Sequence, residues 1–164
     1  MLTVKLIAEG LGLGFLLYLI CAIGIRNGAV GMVHLYDPKV QERVVQLGLT
    51  TAEEIRKRSI RFKTLCIPGY LIYVLIFVYR INGVRGFWSG FWQAFVILSV
   101  MNLIDRFLID DDWVGHTKAW IIPGTEDLQP YITAKDKMKK WIMGTVGMAL
   151  LAAVLSGIMA LIQK

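Results

Sequence analysis

Charge is what this chain has little of. Only 18% of its 164 residues are Asp, Glu, Lys or Arg, too few for the surface of a soluble domain wetted on all sides. Cysteine is as sparse. Cys21 and Cys66 stand apart without a CxxC spacing, which leaves no metal or dithiol redox signature and makes both read as core residues. Histidine occurs only as His34 and His116, and there is no HExxH, EF-hand loop or paired-aspartate motif of a lipid phosphotransferase. Strict alternation of apolar and polar residues is missing, so a membrane β-barrel has no support. Internal repeats and low-complexity segments are missing too.

What the chain does have is apolar length. Hydrophobic residues make up 56% of it and its mean hydropathy is +0.59. Four runs carry this excess: Leu6 to Ile25 with Glu9 as its only charge, Leu65 to Gly83, Phe87 to Ile104, and Trp141 to Ile162. A hydrocarbon core of roughly 30 Å takes about 20 helical residues. Backbone groups in lipid must be paired within the segment. The pattern therefore predicts an all-α integral membrane protein with four transmembrane helices, at about 5–25, 65–83, 87–106 and 140–162, forming one domain. The first run competes with a signal-peptide reading. It exceeds an h-region of about 7 to 15 residues, and Arg26-Asn27-Gly28 is a poor cleavage site, so the helix is expected to stay.

The distribution of the basic residues gives the expected orientation. Of the 18 Lys and Arg, all but Lys5, Arg80, Arg85 and Lys164 fall in the segments after the first and third spans, with the end of the third span included. By the positive-inside rule those two long loops, 26–64 and 107–139, face the cytoplasm and both termini are external, in a plasma or inner membrane. Net charge of +6 then finds its partner in anionic headgroups of the lipid bilayer, and no nucleic acid is needed to explain it.

Both loops carry helix signals. Asp37-Pro38 reads as an N-cap with proline at the first helical position, and Gly48 as the stop. Thr51 and Glu54 have capping-box spacing, as do Thr133 and Asp136 before the fourth span. The basic segment from Ile55 to Lys63 reads either as a headgroup-bound helix or as a solvated one, with Pro68 starting or kinking the second span. The stretch after Asp110 is expected to be irregular. The second and third spans, joined around Asn82-Gly83, are expected to pack as an antiparallel hairpin. Trp88 and Trp92 at one boundary, and Trp113, Trp120 and Trp141 at the other, suit interfacial aromatic belts.

Small residues at helical spacing point to close helix contacts. Gly10 and Gly14 form one such stripe and Ala153 and Gly157 another, within the chain or in a homo-oligomer. Gly10, Gly12 and Gly14 are no nucleotide loop, because they lie in an apolar span without a preceding strand.

Chemistry concentrates at the end of the third span. At about 100° per residue, Ser99, Asn102, Asp105 and Arg106 share roughly a third of the helix circumference, a face that must turn away from lipid. Asp110, Asp111, Asp112 and His116 follow. Carboxylates beside an imidazole can act as acid and base or hold a divalent cation. Asp105, Asp112 and His116 are accordingly the candidate catalytic groups, Asn102 and Arg106 the groups that would orient an anionic head, and His34 an auxiliary. Against this stands a purely structural reading in which Asp105 pairs with a base on a neighbouring helix, Arg106 snorkels to phosphate, and the aspartates form a solvated loop. Three functions remain open: an interfacial enzyme acting on a lipid or amphipathic substrate, an oligomeric transporter or channel subunit, and an accessory protein docking a cytoplasmic partner.

Overall fold

The computed structural model describes residues 1–163. They are helical without strands, and four helices are long and apolar enough to cross a membrane: α1 (Leu2–Ile25), α3 (Ala52–Ile81), α4 (Phe87–Val114) and α5 (Ala134–Ile162). The short α2 (Pro38–Gln46) lies between α1 and α3, and short 3-10 segments at Ala29–Leu35, Lys118–Trp120 and Glu126–Leu128 punctuate the two loops. This is an all-α membrane protein with both described termini at one end of the bundle and both long loops at the other.

The caps form where their chemistry requires. The Asp37 side chain accepts a bond from Lys39 N at 2.9 Å with Pro38 following it, and Gly48 leaves α2 at φ +70°, a conformation that carries no Cβ penalty in glycine. Thr51 accepts from Glu54 N at 3.2 Å, while the Thr133 and Asp136 side chains satisfy each other's backbone N–H groups. Two helices outrun the expectation. The basic segment 55–63 and the second span are one helix, α3, which runs through Pro68 although that residue has no N–H to offer the Thr64 carbonyl. Glu53–Lys57 at 3.0 Å and Glu54–Arg58 at 3.6 Å staple its polar first turns. Likewise α4 continues past Ile104 in widened i→i+5 turns to Val114, so the three aspartates sit on a helix and not in an irregular loop. Such turns are frequent at functional sites.

Packing also departs from a simple hairpin. The central helix is α4, which lies along α1 on one side and α5 on the other and makes few contacts with α3. Close approach depends on missing side chains: a Cβ on Gly10 would meet Val100 Cβ at 2.5 Å, and one on Gly14 would overlap Ile104. The α1 glycines are thus filled from within the chain. Gly157, in contrast, has nothing within 4 Å of its missing Cβ. Leu13, Ile97 and Leu98 are fully buried at the α1–α4 seam.

At the loop end the two long connections fold onto each other as a cap. Val33, Val44, Trp120 and Ile122 are buried there, the Tyr36 hydroxyl donates to the Trp120 carbonyl at 2.6 Å, and Arg43 forks onto Asp127 at 3.1 and 3.2 Å. Trp120 is therefore a core residue, stacked edge-on to Trp113, and not a member of an interfacial belt. Trp88 and Trp92 do stand exposed on α4 at the opposite end.

Candidate functional site beneath the loop cap

The polar face of α4 faces inward. Asn102, Arg106 and Asp110 follow one another at one turn's spacing with Asp105 next to Arg106, and the first turns of α5 bring Lys137 and Lys140 opposite them. Arg106 reaches Asp105 at 3.0 Å, Asp110 at 2.6 Å and the Asn102 amide oxygen at 3.5 Å. Lys140 adds a second cation to the same Asp110 oxygen at 3.0 Å, and Lys137 pairs with Asp111. Arg106 and Asp110 are only 14% and 12% exposed. In so dry a setting each charge is tolerable only because the other compensates it.

Beside this network lies a cavity of about 770 Å³, in the size range of small-molecule sites. Its walls come from all four long helices and the cap. Its lining combines polar groups, among them Asn102, Asp105, Arg106, Asp110, Lys139 and Lys140, with the apolar Leu17, Met101, Met143 and Met148. Leu35, Tyr36 and Trp120 roof it, while Phe62 and Tyr70 bound it on the α3 side. At the opposite end of the bundle α3 and α5 are joined by the Tyr79–Ser156 hydrogen bond of 3.1 Å, whereas at the cavity Tyr70 and Met143 flank open space. Met143, which lines the cavity, is itself 63% exposed. Three lining residues carry buried polar atoms without a hydrogen-bond partner: Tyr70 Oη, Arg106 Nε and Trp120 Nε1. All three can donate.

The six residues singled out in the sequence are not all brought together. Asn102, Asp105 and Arg106 share the cavity. His116 lies in a neighbouring pocket of about 390 Å³ with Lys137, separated from the first by Asp110, Val114, Tyr131 and Ile132, which line both. Its Nδ1 faces the Asp111 carbonyl at 2.8 Å. Asp112 is exposed and makes no ion pair or side-chain hydrogen bond among the described residues. His34 stands outside the lining, packed on Phe62 at 5.2 Å with neither ring nitrogen bonded. Burial, then the nearby Arg58 and Lys63, hold its imidazole below the usual histidine range.

Among the described residues no three His, Cys, Asp or Glu side chains converge as metal ligands. Of the carboxylates that line the cavity, Asp105 and Asp110 are paired with Arg106 and Lys140, while Asp37 and Asp136 cap helix N-termini. Sequence reasoning missed Tyr70 and the precise counter-ions. The basic turn after the Thr133 cap was the available signal for Lys137 and Lys140, since it enters the bundle at the level where α4 turns acidic.

A comparison of the chain with family models, curated proteins and solved structures gave no match.

Proposed function

We propose that this protein binds an amphipathic, lipid-type molecule at the cytoplasmic boundary of the membrane. The observation that carries the proposal is the cavity lined by both apolar and charged side chains, with the exposed Met143 among them. An acyl chain would lie along Leu17, Met101 and Met148. An anionic head such as phosphate would take Arg106, Lys139 and Lys140, with Asn102 as a neutral partner. Asp105 is the group placed to exchange a proton with a bound head, whereas Asp112 and His116 lie too far round the cap to share that atom. The excess of basic residues in the two long loops supports a cytoplasmic cap.

The test is native mass spectrometry of the protein released from nanodiscs containing anionic phospholipid. A stoichiometric lipid mass that falls at least about tenfold in occupancy in Arg106→Gln with Lys140→Ala supports the proposal. A bare wild type, or retention unchanged in the double variant, overturns it.

An oligomeric transporter or channel is the second reading. One observation favours a subunit contact on α5: the space over Gly157 is open and Ala153 is only partly covered. A path through a single subunit is blocked by the buried layer of Leu13, Ile97 and Leu98.

A further inference from the structure

The opposite end of the bundle holds a second polar cluster. Glu9 of α1 is 6% exposed and Gln93 of α4 is 7% exposed, and Asn82, at the end of α3, joins them. The Asn82 amide nitrogen donates to Glu9 Oε2 at 3.1 Å and to Gln93 Oε1 at 2.9 Å. Tyr73 donates to the Glu9 backbone carbonyl at 2.8 Å. What remains is an excess of acceptors: Glu9 Oε1 and Asn82 Oδ1 are both buried and neither has a hydrogen-bond partner.

Turning the Asn82 amide over does not relieve this. Its oxygen would then face the Glu9 carboxylate, which as an anion only accepts. Lys5 does not relieve it either, standing 4.0 Å from Glu9 Oε1 with its side chain 47% exposed. Buried oxygen atoms without donors are costly. A cation satisfies several at once.

We propose that Glu9, Asn82 and Gln93 form a binding site for a monovalent alkali cation, sodium or potassium, at the end of the bundle that carries the termini. Hard oxygen donors suit such ions. The charge count selects the valence: one carboxylate balances one positive charge, and a divalent ion would leave a net positive charge buried in the bundle. Lys5, at the mouth, competes with the ion for Glu9 and sets its affinity. The site is separated from the lipid-type cavity by the apolar α1–α4 seam, and the proposal stands independently of that reading.

The experiment is thermal unfolding of the full chain in mild detergent, in sodium, potassium or choline chloride and in magnesium chloride at equal ionic strength, together with sodium-23 NMR line widths. Sodium or potassium should raise the midpoint saturably by at least about 3 °C over choline. The rise should disappear in Glu9→Gln and appear at lower salt in Lys5→Ala. Identical curves in the sodium, potassium and choline salts, for the wild type and for Lys5→Ala, would overturn the site. A response to magnesium alone would overturn the valence. If Glu9→Gln does not fold, the wild type against Lys5→Ala decides the matter, because Lys5 is partly exposed and no other bond in the cluster depends on it.

Discussion

Lys140 of α5 and Asp110 of α4, thirty residues apart in the chain, meet at 3.0 Å inside the capped end of the bundle. The same Asp110 oxygen holds Arg106 from one turn earlier at 2.6 Å. One carboxylate therefore ties two long helices together and neutralises the cation that the cavity presents. These pairs join the buried Ile109 and the packing of Trp113 on Tyr18 and Trp120 in holding the extension of α4 beyond Ile104.

Removing the hub should cost more than removing a spoke. Asp110→Asn leaves Arg106 and Lys140 facing each other without their anion and is expected to destabilise by roughly 2 to 3 kcal/mol. Lys140→Ala, at a side chain 40% exposed, should cost about 1 kcal/mol or less. Thermal unfolding in detergent ranks the two, and equal losses would mean that Asp110 is not the shared partner.

The glycine contacts make opposite predictions for the two small-residue stripes. Gly14→Leu drives a side chain into Ile104 and should destabilise by about 1 to 3 kcal/mol or abolish folding. Gly157→Leu meets open space and should leave the melting midpoint of the monomer within about 1 °C. Size-exclusion light scattering on the same variant reads whether that α5 face joins subunits, as a change in mass at unchanged stability.

Tyr70 separates a structural from a ligand-binding role of the cavity. Its hydroxyl is buried and unbonded, so in delipidated protein Tyr70→Phe should be neutral or stabilising by up to about 1 kcal/mol. If a lipid head takes that hydroxyl, the same variant should retain less lipid. Measuring midpoint and bound lipid together distinguishes the outcomes, and a clear loss of stability in the delipidated state would show that the hydroxyl is bonded after all.

His34 gives a pH dependence of defined sign. Its folded-state value is depressed below the ordinary 6.5, first by burial and then by Arg58 and Lys63. As pH falls through 6.5 the unfolded chain takes up the proton before the folded one does, so stability is full above the ordinary value and declines as pH falls toward the depressed one. His34→Phe should flatten the difference in midpoint between about pH 7.5 and about pH 5.5. A slope unchanged by the substitution would assign the effect to another group.

Four membrane-length helices, the caps at Asp37, Thr51 and Thr133, and the inward polar face of α4 were all legible in the amino-acid order. Each depends on neighbours within a few turns: run length against bilayer thickness, a side chain against the nearest free N–H, or the angle between successive positions. The oligomer stripe was legible only as a spacing. Gly10 and Gly14 advertise close contact, but that their partners are Val100 and Ile104 is a matter of which helix happens to lie across them.

Local order by itself thus determined an all-α membrane protein, its span lengths and the polar end of α4. The tertiary fold decided which of those polar groups act together. Asp110 gained its role because α5 returns Lys140 to it, while Asp112, two residues on and of the same chemistry, points elsewhere and bonds nothing among the described residues. Likewise Glu9 read as a lone charge in an apolar run until α3 and α4 brought Asn82 and Gln93 beside it. The physical reason is the same in both cases: a helix fixes the direction of a side chain within one turn, but the partner that neutralises a buried charge comes from a distant segment, chosen by how the helices pack.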